Sequence, residues 1–127
     1  MDDSEFENAI AQAVGDLPQE FKDKLDNVAI VAADWPTGTQ LEVLTKRDER
    51  GLLLGLYQGI PQTKRRNYGV GPTLPDKITI FKYPLLRISR SYEEAIANIK
   101  ATVIHEIAHH FGMSEDDIRK AKSRSKF

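Results

Sequence analysis

Cysteine is absent from the sequence, so none of the 127 residues can contribute a disulfide or a thiolate zinc ligand. The chain has no apolar run approaching about 18 residues, and its acidic start lacks the pattern of a signal peptide. The formal net charge is only -1, which gives no electrostatic reason to expect nucleic acid or a membrane as a partner. We therefore expect a cytoplasmic protein, and we expect it to be a monomer.

Histidine is also scarce, and all three histidines lie within six consecutive residues: His105, His109 and His110. On a helix, the first two stand one turn apart on the same face, where two neutral imidazoles can reach one metal ion. Glu106 follows about 100° round the helix, which completes the H-E-x-x-H arrangement of zinc peptidases. Gly112 lies just past the last turn, where a glycine can adopt the left-handed conformation that ends a helix.

The alternative to a metal site is a solvated helix face that carries two histidines and no ion. Helical periodicity puts Ile99, Val103 and Ile107 within about 60° of Ile96, whereas the histidine pair falls at about 180° to 220°. Three polar residues continue the face of the pair: Glu94, Asn98 and Thr102. This pattern favours the wall of a wet cleft over core histidines. His110 projects toward the core stripe, where we expect it to pack or to orient Glu106.

Four helices are predicted from capping residues and from 3.6-residue periodicity. Their expected extents are 4–15, a short segment beginning at Pro18, roughly 91–111, and a short segment beginning at Ser114. The last two open with capping-box spacings, Ser91 with Glu94 and Ser114 with Asp117. The basic tail over 120–126 is expected to fray.

Three strands are predicted, over 28–33, 52–60 and 77–81. The first is an apolar run that we expect to be buried, and Gly55 in the second marks a bulge or a close backbone approach. A turn is expected at 37–39, and Trp35 before it is assigned to the core edge in preference to a ligand platform. The long connection over 61–76 reads as a functional loop in which Tyr68 is a candidate oxyanion donor.

The segment from His105 to Glu115 carries a resemblance, together with residues 26–29, 54–61 and 74–81. In these segments the chain resembles the small bacterial minimal zincin family of metallopeptidases, over roughly residues 17–119. The resemblance implies an α+β, zincin-like single domain, here residues 1–127, in which a small three-stranded sheet packs on a long active-site helix. It also implies a motif H-E-x-x-H-x-x-G-x-x-D like that of metzincins.

Carried onto this chain, the family motif implies that His105, His109 and Glu115 bind Zn²⁺ and that Glu106 is the general base. Glu115 stands where aspartate is more usual, so Asp116 is a second candidate, and a site without a protein carboxylate is a third possibility. First-turn carboxylates are also favoured by the helix dipole without any metal.

The reaction implied by the resemblance is hydrolysis of a peptide or protein substrate by a metal-activated water. An extended substrate would pair with a sheet edge at 52–57 or at 78–82. The alternative is a non-catalytic zincin-like domain that binds metal and peptide. A nucleic-acid role for the basic run at 64–66 is a distant third.

Overall fold

The computed structural model of the chain describes residues 1–47, 51–59 and 75–124. Within these ranges six helices accompany a three-stranded sheet, which confirms the predicted α+β fold class. In chain order the elements are α1 (Asp3–Gly15), α2 (Gln19–Lys24), β1 (Val28–Ala33), α3 (Gly38–Lys46), β2 (Gly55–Gln58), β3 (Asp76–Phe81), α4 (Lys82–Arg87), α5 (Tyr92–His110) and α6 (Glu115–Arg124). None of the helices in the described ranges is long and apolar enough to cross a membrane.

The sheet has the strand order β1-β3-β2, with β3 in the middle. Ile78 of β3 lies opposite Ile30 of the parallel strand β1 and opposite Tyr57 of the antiparallel strand β2. The prediction of a substrate edge at 78–82 is therefore wrong, because β3 is paired on both sides. The prediction of a buried first strand is also wrong, because β1 is an edge strand and its Val31 is 40% exposed.

Helix α5 packs its apolar stripe against one face of the sheet. Ile99, Val103 and Ile107 are buried in one cluster with Ile78 and Ile80 of β3, as the periodicity predicted. Each such side chain contributes about 1.5–3 kcal/mol through removal from water. Helix α1 adds four buried residues to the same cluster: Phe6, Ala9, Ile10 and Ala13. The opposite face of α5 is left for the candidate site.

The ends of α5 follow the predicted signals. Ser91 is the N-cap, and its side chain accepts a hydrogen bond from the Glu94 N–H at 3.0 Å. Gly112 has a φ of +65°, and the Met113 N–H donates to the Ala108 carbonyl at 2.8 Å, which is the Schellman ending expected for a glycine there. Beyond the turn, α6 is helical to Arg124, so the predicted fraying is wrong for 120–124. Residues 125–127 lie outside the described ranges.

Two helices were not predicted, and each has a local cause. The expected turn at 37–39 is wrong because Thr37 caps α3, and it exchanges hydrogen bonds with Gln40 in a capping box. Arg47 is the C-cap of this helix. Helix α4 follows β3 directly and holds Pro84 in its first turn, where the missing N–H removes no helical hydrogen bond.

Trp35 lies outside the core rather than at its edge, since it is 52% exposed. Its ring stacks on that of Tyr83, with centroids 5.6 Å apart. Of the loop predicted over 61–76, only residues 75 and 76 are described, and Asp76 begins β3. The expectation for Tyr68 falls on residues outside the described ranges.

Candidate active site

His105 and His109 lie on the exposed face of α5 in its last two turns, opposite the core stripe as predicted. The His105 side chain is 62% exposed. The two ring centroids are 6.4 Å apart, with their planes inclined at 63°. Two imidazoles on one tetrahedral zinc, with Zn–N distances of about 2.0–2.1 Å, would have centroids about 5 Å apart. Small side-chain rotations would therefore bring the pair to one ion.

Glu106 reaches toward β2, and its side chain is only 3% exposed. Its Oε1 accepts a hydrogen bond from the Tyr57 N–H at 2.9 Å. Arg47 donates from Nη1 to Oε2 at 3.1 Å and from Nη2 to Oε1 at 3.3 Å, so the guanidinium grips the carboxylate with two bonds. A buried carboxylate is stable only when it is paired in such a way. In this position, Oε2 of Glu106 lies 4.0 Å from Nε2 of His105.

Gly55 is what lets β2 approach α5 closely enough for these bonds. A Cβ at this position would lie 2.6 Å from Cγ2 of Thr102 on α5 and 3.1 Å from the Thr79 carbonyl oxygen. The predicted close approach is confirmed, and the pairing of β2 with β3 runs on without a bulge. The Phe81 N–H donates to the Leu54 carbonyl. In an antiparallel pair every second residue bonds to the partner strand, so the backbone N–H and C=O groups of Gly55 and Tyr57 point away from β3.

A cleft of about 360 Å³ opens beside these residues, between α3, the start of β2 and α5. Its polar wall comes from the predicted face of α5, through Asn98, Thr102, His105 and Glu106. The other wall is mostly apolar, and Arg47 is its charged member. These residues line that wall: Leu44, Arg47, Leu52, Leu53, Leu54 and Gly55. The cleft therefore joins an apolar surface and an outward-facing strand backbone to His105, the first histidine of the pair.

His110 does not enter the core, although the helical projection placed it toward the core stripe. It is exposed, and its ring stacks on that of Tyr57 at a centroid distance of 3.8 Å. The Tyr57 hydroxyl in turn donates to Asp76 Oδ2 at 2.6 Å. The packing role is confirmed, but the residues that orient Glu106 are Arg47 and Tyr57.

The carboxylates after Gly112 are not brought to the histidine pair. Glu115 begins α6 and lines a shallow groove on that helix with Arg119 and Lys122. Asp116 forms ion pairs with Arg119 and, at 3.0 Å, with Lys120. Over residues 1–47, 51–59 and 75–124, no three histidine, aspartate or glutamate side chains are grouped so that they could hold an ion. The third ligand therefore stays a prediction.

Sequence reasoning missed Arg47 and the backbone of Tyr57. The Thr37 and Gln40 spacing was a usable signal for α3, and hence for the position of Arg47 at its end. No local signal could join Arg47 to Glu106, because the two residues are 59 positions apart in the chain.

Two exposed imidazoles fit the nitrogen donors of catalytic zinc sites, and the pair would supply two of the protein ligands. The family model for zincin-like metallopeptidases matches residues 25–124, a range that includes every residue of this site. A comparison with curated proteins finds no match. With the match covering most of its length, the chain belongs to the family of zincin-like metallopeptidases.

Proposed function

We propose that this chain is a zinc-dependent metallopeptidase that hydrolyses peptide bonds in peptide or protein substrates. The observation that carries the proposal is the position of buried Glu106 beside the exposed His105, at the wall of a cleft. Zinc would be held by His105 and His109, with Glu115 as the proposed third ligand and Asp116 as its alternative. When bound, zinc would polarise a peptide carbonyl and lower the pKa of a water molecule.

Glu106 accepts the proton of the attacking water and passes it to the leaving nitrogen. Its two oxygens are not equivalent in this role. Oε1 already accepts from the Tyr57 N–H and from Arg47 Nη2, whereas Oε2 accepts from Arg47 Nη1 alone among the residues that the structure describes. Oε2 is also the oxygen that faces His105. The proton-accepting atom is therefore Oε2, and the bonds to Oε1 fix its direction.

The substrate lies in extended form along the edge of β2 that has no partner strand within the described residues, as one more strand of the sheet. The backbone N–H and C=O of Gly55 point toward that edge, because Gly55 alternates with the residues bonded to β3. The Tyr57 N–H is taken by Glu106, so pairing along the edge ends there. Because the pairing stops at Tyr57, we expect the cleaved bond to lie next to Glu106. Leu52 and Leu53 would then contact the substrate side chains.

One observation favours a second candidate, a non-catalytic domain that binds metal and peptide. Arg47 holds Glu106 with two hydrogen bonds, as a structural ion pair would. Because Glu106 also accepts from β2, the pair joins α3, α5 and the sheet. In this candidate the cleft still takes a peptide, but no bond is cleaved.

Metal analysis paired with a cleavage assay tests the proposal. Protein purified without chelator is loaded with zinc, and its products from a broad peptide library are compared with those of chelator-treated protein. We expect about one zinc per chain and products only from the zinc-loaded sample. The His105→Ala variant should lose both. Zinc and peptide binding without products would favour the non-catalytic domain, and undiminished zinc affinity in His105→Ala would remove the metal site.

A further inference from the structure

The cleft wall offers one permanent cation. Among the described residues that line the cleft, Arg47 is the only lysine or arginine. Its side chain is 18% exposed, so part of the guanidinium faces the cleft. Two of its five N–H groups bond to Glu106, and the other three have no acceptor among the described residues.

The bond between Arg47 and Glu106 competes with proton transfer. A general base must offer a lone pair, and the guanidinium occupies one on each oxygen of the carboxylate, which leaves a single lone pair on Oε2 for the attacking water. A carboxylate brought in by another molecule can form the same two-bond pair with Arg47, because planar forks match any carboxylate. Exchange of one carboxylate for the other keeps Arg47 paired and releases one lone pair on each oxygen of Glu106, which keeps the Tyr57 N–H as a donor.

Resting on the proposed peptidase function, we infer that Arg47 binds a carboxylate of the substrate and in doing so releases Glu106 for proton transfer. The preferred substrates are peptides with a carboxylate within about two residues of the cleaved bond, since Arg47 touches the base itself and a residue spans about 3.3 Å in extended chain. An aspartate or glutamate side chain and a free C-terminus share this chemistry. Leu44, Leu52 and Leu53 favour an apolar side chain next to it.

The test is a binding measurement that does not need turnover. The probes are dye-labelled acetyl-Ala-Leu-Leu-Glu-Leu-Ala-amide, the same peptide with glutamine for glutamate, and acetyl-Ala-Leu-Leu as the free acid and as the amide. The first pair isolates a side-chain carboxylate, and the second isolates a C-terminal one. Each affinity is measured with zinc-loaded and with chelator-treated protein, because a carboxylate that binds the metal directly would lose its advantage without zinc.

Glu106→Gln is the decisive variant. Glutamine keeps the shape and the acceptor for the Tyr57 N–H but removes the negative charge that competes for Arg47. Acidic peptides should bind about tenfold more tightly to Glu106→Gln than to the wild type, whereas neutral peptides should bind equally to both. Arg47→Gln alone leaves Glu106 buried without its ion pair and can unfold the chain. The double variant Arg47→Gln/Glu106→Gln has no buried unpaired charge, and it should lose the preference for acidic peptides.

Equal affinity of Glu106→Gln for acidic and neutral probes, or a preference for acid that survives in the double variant, would overturn the inference. Lack of binding of all four probes by Glu106→Gln would overturn it too. Cleavage by the wild type is scored separately. A preference for acidic peptides without cleavage would reject the peptidase activity but keep Arg47 as the carboxylate-binding residue. Cleavage without that preference would support the peptidase activity and reject the role of Arg47.

Discussion

Within the described residues, β1 and β2 are the edge strands of the sheet, and the cavities beside them differ in volume and in the side chains that line them. The groove beside β1 is the larger, at about 780 Å³ against 360 Å³ for the cleft beside β2. The β1 groove is lined almost wholly by apolar side chains, with Glu7 as its one charged member. The smaller cleft brings together Arg47, Glu106 and His105, and it has Gly55 at its floor.

The difference follows from what packs against each edge. The groove beside β1 is lined by apolar side chains of α1, a helix whose buried residues belong to the core. At β2, Gly55 has no side chain, which lets the strand come close to α5. The Tyr57 N–H can then donate to the Glu106 carboxylate. The larger of the two cavities therefore holds fewer titratable side chains, and the proposed function depends on the smaller one.

The largest expected effect tests what holds the β2 side together. Arg47→Ala leaves Glu106 buried with one remaining donor, which should cost about 3–5 kcal/mol of the free energy of unfolding. Adding Glu106→Gln removes the unpaired charge and should restore more than half of that loss. Urea denaturation of the three proteins measures both effects. A loss below about 1 kcal/mol for Arg47→Ala would show that the ion pair is not formed.

A comparable effect is expected for zinc affinity. Apparent zinc-binding free energies of about 10–16 kcal/mol for four ligands put one ligand at roughly 3–4 kcal/mol, so His109→Ala should weaken zinc binding about 10² to 10³-fold. His110→Ala is the matched control, because it removes the neighbouring imidazole, which stacks on Tyr57 rather than facing the pair. Competition with a zinc-sensitive dye measures all three proteins. Equal losses in the two variants would contradict the assignment of the pair.

A smaller effect is expected where β2 meets α5. Gly55→Ala puts a methyl group against Thr102 and should cost about 1–3 kcal/mol, because the packed helix and strand must move apart. Thr102→Ser removes the contacting methyl group and keeps the hydroxyl that donates to the Asn98 carbonyl. The double variant should recover part of the stability. Thermal unfolding would contradict this account if Gly55→Ala melted like the wild type.

The smallest effect is expected at the other edge. Val31→Lys adds a charge to exposed β1, and we expect the stability to change by no more than about 0.5 kcal/mol. Zinc affinity and the binding of the acidic probe peptide should be unchanged. A loss of either would mean that the β1 edge takes part in the site, and the contrast between the two edges would fail.

The elements that the sequence predicted are those with local signals. The caps at Ser91 and Ser114, the glycine ending at Gly112 and the apolar stripe of α5 each depend on residues a few positions apart. The histidine pair could be placed on the exposed face for the same reason. The burial of β1 could not be predicted, because the order of strands in a sheet depends on distant parts of the chain.

The hydrogen-bond partners of Glu106 could not be predicted from the sequence, because they also come from distant parts of the chain. Its position next to His105 follows from helical spacing, but its contact with Arg47 exists only once α3, β2 and α5 have packed together. The third metal ligand, the cytoplasmic location and the monomeric state stay predictions.

The most direct measurement of the central claim compares cleavage of the best library peptide by wild type and by Glu106→Gln at equal zinc occupancy. Glutamine keeps the geometry of the site and removes the proton acceptor. If Glu106 is the general base, the rate should fall by about 10² to 10⁴-fold while zinc stays bound. Equal rates for the two proteins would contradict the account.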